Sequence, residues 1–142
     1  MTDHKQVAGW IDAYERAWRT AGVEPLAALF TDDASYRQGP YHQPVTGLAA
    51  IGEMWEAERA GADEEFTMTY DIVAVDGDTA VARVEVRYGE PVPQEFLDLW
   101  IMRFAADGRC RGFDEWPYWP DATTFEPDWP DRPLVGTRAG LT

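Results

Sequence analysis

The chain has one cysteine, Cys110, and two histidines, His4 and His42, in 142 residues. One cysteine excludes an internal disulfide and a multi-thiolate zinc site. A nucleophilic thiol would need a base, and His4 falls in a frayed-looking N-terminus while His42 falls in a loop. Cys110 itself sits in an alternating strand pattern and reads as a small buried hydrophobe. Positive charge is also scarce, with 12 basic against 26 acidic residues and a formal net charge of −14. A polyanion of this kind repels phosphate backbones and anionic bilayers, which argues against nucleic acid or membrane as partner. No apolar run approaches the roughly 20 residues of a membrane span. The opening MTDHKQ lacks a signal peptide's basic and apolar regions. A soluble, cytoplasmic protein is expected.

Aromatic residues are abundant: seven Trp, six Tyr and six Phe. Rings in this number fill cores, and they also line pockets. The length suits one domain with a real core. Val7, Trp10, Ile11, Tyr14, Ala17, Trp18 and Ala21 recur at helical spacing, which predicts a first helix stopped by Gly22. A short second helix is expected over Pro25 to Phe30, with Asp32 and Asp33 capping the turn after it. Alternation in Ala34, Tyr36 and Gln38 predicts a short strand, and Thr46 stands as N-cap of a third helix.

From Glu65 onward the period changes to two. Strands are expected over Glu65 to Asp76, Thr79 to Tyr88, Phe96 to Phe104 and Arg109 to Trp119, with turns at DGD (76 to 78) and DG (107 and 108). Residues 1–119 then form the domain, and the Pro- and Trp-containing segment 120–142 is expected as an extended tail. Both faces of the third long strand are apolar: Phe96, Trp100 and Met102 on one, Leu97, Leu99 and Ile101 on the other. One of them must pack beyond the domain core, and a homodimer is the simplest occupant.

Three helices followed by an antiparallel meander make an α+β fold. The stretches YERAW, LAALFTDDASYRQGPY, VTGLAAIGEMW, VAVDGDTAVARVEV and MRFAADGRCRGFDEWPYW, in that order, resemble the SnoaL-like branch of the nuclear transport factor 2-like (NTF2-like) superfamily over about residues 7 to 119. The resemblance implies a cone-shaped α+β barrel in which three N-terminal helices pack on a curved antiparallel sheet. Its members include isomerases, cyclases, dehydratases, epoxide hydrolases and non-catalytic binding or protein-interaction domains, so the fold alone does not name the activity.

Within that superfamily the residues match the limonene epoxide hydrolase branch better than the ketosteroid isomerase branch. Tyr14 falls at the isomerases' oxyanion-stabilising tyrosine, but Gln38 stands at their base and Trp100 at their second acid. Against the epoxide hydrolases, Arg83 and Glu85 fall on the Arg-x-Asp strand, Glu115 on the second carboxylate, and Tyr36 and Gln38 on the water-positioning pair. Both acids and the amide are one methylene longer than that pattern. The resemblance therefore implies Glu115 as base, Glu85 as acid, Arg83 as bridge, and Tyr36 with Gln38 holding water. Opening an epoxide needs such an acid and base, and no metal or organic cofactor is required.

On pattern alone, Arg83, Glu85 and Arg87 alternate with Ala82, Val84 and Val86 and could equally form a solvated strand face. Asp98 shares the face of Trp100 and Met102, and an acid among aromatic rings is a candidate for a raised pKa. Asp114 and Glu115 must point to opposite faces; the resemblance turns Glu115 inward. Tyr14, Trp18, Phe30, Tyr36, Trp55, Trp100, Met102 and Trp116 are expected as pocket or core wall around a small hydrophobic molecule.

Overall fold

The structure, a computed structural model, describes residues 2–59, 65–90 and 94–120, so the expected tail lies, beyond Pro120, outside the described residues. Helix α1 spans His4–Trp18. Asp3 caps it: its carboxylate accepts from the Gln6 N–H at 2.9 Å, and the Gln6 amide oxygen accepts from the Asp3 N–H at 3.1 Å. This reciprocal cap satisfies two donors that would otherwise be orphaned, so the start of the chain is not frayed and His4 opens the helix. The helix stops three residues earlier than Gly22 would have stopped it, because its last turn tightens, with the Thr20 N–H on the Ala17 carbonyl.

Helix α2 is a single turn, Leu26–Leu29. Phe30, expected as its last residue, is already extended and opens strand β1, Phe30–Arg37. Asp32 and Asp33 therefore lie in that strand, exposed, and not in a capping turn. Strand β2 is Val45–Thr46, and helix α3 runs Leu48–Glu58. Thr46 pairs with Ser35 across β1, so Gly47 takes the N-cap position at φ 93°, a backbone region that other residues avoid.

The long strands follow: β3 (Glu65–Asp76), β4 (Thr79–Glu90), β5 (Gln94–Phe104) and β6 (Cys110–Tyr118). The β3–β4 and β5–β6 turns place Gly77 and Gly108 at positive φ, as the DG signals require. The six strands form one curved, unclosed sheet in the order β2-β1-β6-β5-β4-β3. All neighbours are antiparallel except β1 and β6, which run parallel.

The core lies between the inner sheet face and the helices. Trp10 anchors it: its indole N–H donates to the Leu29 carbonyl at 2.9 Å, and its ring meets Tyr14, Phe30, Phe104 and Phe113 at centroid distances of 5.5 to 5.7 Å. Replacing such a residue with alanine costs about 3–5 kcal/mol. Cys110 is buried here as well, and burial pushes its thiol up to about 12, which suits packing and not nucleophilic attack.

The outer sheet face divides in two. Thr67, Thr69 and Asp71 of β3 face outward beside Arg87, Glu85 and Arg83 of β4, whereas β5 and β6 present Leu97, Leu99, Ile101, Trp116 and Tyr118 in adjacent register. Leu97 and Tyr118 are each about half exposed, at 55 % and 51 %.

Candidate functional site

A cavity of about 270 Å³ opens between the helices and the inner sheet face. Its walls are mostly apolar: Trp18 from α1; Phe66 and Met68 from β3; Val86 and Tyr88 from β4; Phe96 and Trp100 from β5; Pro117 from β6. Strand alternation puts these residues there, because Phe66 and Met68, Val86 and Tyr88, and Phe96, Asp98 and Trp100 are each separated by two. Gln38 and Glu58 stand at the more exposed side, with the Gln38 Nε2 donating to Glu58 Oε1 at 3.0 Å.

The polar groups converge where β5, β6, α1 and β1 meet. Glu115 pairs in register with Trp100, so Asp98, two residues earlier on the same face, is its diagonal neighbour. Tyr36 donates its hydroxyl to Glu115 Oε1 at 2.8 Å, and the hydroxyls of Tyr14 and Tyr36 are 2.7 Å apart. A phenol has one proton, so Tyr14 donates to Tyr36 when Tyr36 donates to Glu115. On the other side, the Trp100 indole N–H donates to Asp98 Oδ2 at 3.2 Å, while Asp98 Oδ1 receives no hydrogen bond from the described residues.

These groups have displaced protonation equilibria. Glu115 is pushed up to about 8, first by burial and then by the negative charge of Asp98; the charge of Glu58 adds to the rise and the Tyr36 hydrogen bond opposes it. Asp98 is also raised by burial, against the hydrogen bonds from Trp100 and Glu115. Both tyrosines are held well above the phenol range, by burial and then by Glu115. At neutral pH Glu115 therefore keeps its proton, and Asp98, raised as well, titrates together with it. An acid whose affinity for its proton is matched to neutral pH can donate it and recover it.

Several residues singled out from sequence lie elsewhere. Arg83 and Glu85 are on the outer face of β4, not in the cavity. Arg83 pairs with Asp71 at 2.9 Å, both side chains being more than 60 % exposed, and Glu85 pairs with Arg87. The reason is parity: Ala82 and Val84, both buried, occupy the inner face, and turning the charged set inward would desolvate it. The bridge expected of Arg83 between two acids is thus not built, and no arginine among the described residues borders the cavity.

Phe30 and Met102 are buried in the core. Trp55 backs the wall by packing on Tyr14 and Trp18, and Trp116 is on the outer face. Tyr14, Trp18, Gln38, Asp98, Trp100 and Glu115 border the cavity, and Tyr36 reaches it through its hydrogen bond to Glu115. Asp114 does face outward, yet it is buried, with Oδ1 2.9 Å from Arg37 and Oδ2 3.4 Å from Arg103.

Sequence reasoning missed Glu58, Gln94 and the wall residues Phe66, Met68, Val86, Tyr88, Phe96 and Pro117. For most of these the alternation was the available signal, once the inner parity of each strand is known. Glu58, at the end of α3, had none. Among the described residues no group of His, Cys, Asp and Glu is arranged to hold a metal ion, and no helix is long and apolar enough to cross a membrane.

The fold has many solved counterparts. A Kribbella flavida protein provisionally described as a ketosteroid isomerase is 23 % identical, with a TM-score of 0.63, over 89 % of this chain and 87 % of its own. The epoxide hydrolase/cyclase-like enzyme SalBIII, described in pyran ring formation in the polyether salinomycin, is 15 % identical, with a TM-score of 0.67, over 83 % of this chain and 95 % of its own. RV0760c from Mycobacterium tuberculosis is 16 % identical, with a TM-score of 0.67, over 85 % and 96 %. At these identities the likeness is one of fold. Among curated proteins none matches the chain. The sequence of residues 11–113 matches the SnoaL-like domain model, which covers most of the α1-to-β6 body just described, so the chain belongs to the SnoaL-like domain family.

Proposed function

We propose that the protein is a small-molecule enzyme that transfers protons through the Glu115–Asp98 pair to a largely apolar substrate, in a reaction of the epoxide-opening type. The observation that supports this is the proton-bearing Glu115, fixed by Tyr36 and set beside Asp98 in an apolar cavity. Glu115 would donate its proton to the epoxide oxygen as the C–O bond breaks. Asp98 would accept one from the attacking water or hydroxyl, so the pair ends with the single proton it began with. Tyr36 and Tyr14 orient Glu115 and keep its second oxygen occupied. This assignment moves the acid role from Glu85 to Glu115 and gives the base role, expected from sequence for Glu115, to Asp98, with no part for Arg83.

An intramolecular hydroxyl in place of water would make the same pair a cyclase, and an enol in place of the alkoxide would make it an isomerase. The proposal includes a homodimer, supported by the apolar strip on the outer face of β5 and β6. The test is turnover of a panel of terpenoid and polyketide-like epoxides and enones by wild type and Glu115→Gln. Turnover by wild type that is lost in Glu115→Gln, with ligand binding retained, supports the reading. Equal turnover in the variant overturns it.

A further inference from the structure

Among the described residues the cavity is bordered by acids and aromatic rings and by no group that balances their charge: Asp98, Glu115 and Glu58 line it, and no described lysine, arginine or histidine does. Around the carboxyl pair the titratable neighbours are Tyr14 from α1, Glu58 from α3, Tyr36 from β1 and Tyr88 from β4; β3 contributes Phe66 and Met68. Every one of these is neutral or negative at neutral pH.

Asp98 is 4 % exposed and faces the cavity, and its Oδ1 has no hydrogen-bond donor among the described residues. A buried carboxylate oxygen in that condition calls for a donor, and a positively charged one compensates best. The surrounding rings are Tyr14, Trp18, Phe66, Tyr88, Phe96 and Trp100, whose faces carry the negative part of the aromatic quadrupole. Two of these rings already attract guanidinium groups: Arg19 lies 3.8 Å from the Phe66 centroid and Arg59 lies 5.8 Å from that of Trp18. Both cations are held by carboxylates of their own helices, Glu15 and Glu56, and neither borders the cavity.

We propose that the cavity selects an apolar molecule carrying a protonated amine, whose ammonium group donates to the open oxygen of Asp98 and lies against the aromatic wall. The inference rests on the acid/base reading of the same site and names its substrate class. It also gives the ligand a part in the chemistry. An ammonium on Asp98 relieves the like-charge repulsion that helps hold the proton on Glu115, so the bound substrate makes Glu115 a readier acid, while the second lone pair of the Asp98 oxygen is left for the proton of the attacking group. By linkage, the same cation must bind more tightly as Glu115 loses its proton.

Three probes of similar size separate the outcomes: 2-phenylethylamine, 2-phenylethanol and 3-phenylpropionate, titrated calorimetrically into the wild-type protein in two buffers of different ionisation enthalpy. The amine should bind at least about tenfold more tightly than the alcohol, with the carboxylate weakest. Its affinity should rise as pH rises toward 8, with release of a fraction of a proton for each molecule bound. Asp98→Asn should bring amine and alcohol within about threefold of each other. Equal or tighter binding of the alcohol, absence of proton release with the amine, or no amine binding at millimolar concentration would each overturn the proposal. The wild-type measurements decide the matter even if the variant does not fold. Turnover of neutral epoxides that depends on Glu115, with no preference for the amine probe, would sink this inference and leave the acid/base reading standing.

Discussion

Asp114 and Glu115 are chain neighbours on β6 and meet opposite surroundings. On the outer face, Asp114 lies between Arg37 and Arg103, so its charge is matched twice over. On the inner face, Glu115 meets a second carboxylate, two phenols and an aromatic wall, and burial with Asp98 holds its proton on at neutral pH. The same contrast runs through β4 and β5, where Arg83 and Glu85 face water with partners while Asp98 faces the cavity. The charges on the outer face have partners, whereas the carboxyl groups at the cavity are buried and, among the described residues, short of counter-charge.

The sharpest break in this comparison is Glu115→Gln. It should lower turnover roughly a hundred- to ten-thousandfold, the usual range for a general acid or base. Its stability should move the other way with pH. In wild type the folded state keeps its Glu115 proton up to about 8, whereas an unfolded carboxyl loses it near 4.5. The native state then binds more protons across that window, so this group's contribution to stability falls as pH rises through it. The glutamine escapes that loss, and the gap in melting temperature between variant and wild type should shift in the variant's favour from mildly acidic to alkaline pH. A gap independent of pH would show that Glu115 is ionised in the native protein.

Tyr36→Phe should come next in effect. It removes the hydrogen bond that lowers the Glu115 pKa and strands the Tyr14 hydroxyl. The stability cost should be about 1–3 kcal/mol by chemical denaturation, as for other buried groups left unpaired. The falling limb of kcat/KM, set by Glu115 as acid, should move to higher pH. A limb that stays put would mean another group governs it.

On the outer face the comparison predicts stability effects without catalytic ones. Asp114→Ala leaves two guanidinium groups without their shared partner. Since Arg37 and Arg103 are both more than a third exposed, the cost should be about 1–2 kcal/mol, with water screening the remainder. Turnover per folded molecule should not change. The smallest effect belongs to Arg83→Ala, which breaks an exposed pair with Asp71 and should cost about 0–1 kcal/mol, with kcat and KM unaltered. A large loss of activity there would return Arg83 to the site.

Much of this was legible in the residues. The α+β order, the four long strands, their turns and the family all follow from periodicity, from Gly77 and Gly108, and from stretches such as FDEWPYW. The family correspondence marked Glu115, Tyr36 and Tyr14, which the structure brings together through 2.7 and 2.8 Å hydrogen bonds. It also marked Arg83 and Glu85, which the structure separates from them. On β4 a buried Ala-Val set and a charged set alternate, and the preference for water over desolvation sent the charges out. Asp98, flagged with the parity of Trp100 and Met102, could have lain at a wet edge. Its burial depends on Glu115 from β6 and on the rings of β3 and β4, all of them distant in sequence.

By itself, the sequence determined the element types, the pairs of residues that share a strand face, the excess of negative charge and the family. Tertiary structure decided which face of each strand encloses the cavity, and therefore which acids lose their water. Alternation has a period of two and treats both faces alike. Only the packing of helices and neighbouring strands on one side breaks that symmetry, and with it sets the proton affinity of Glu115 beside Asp98.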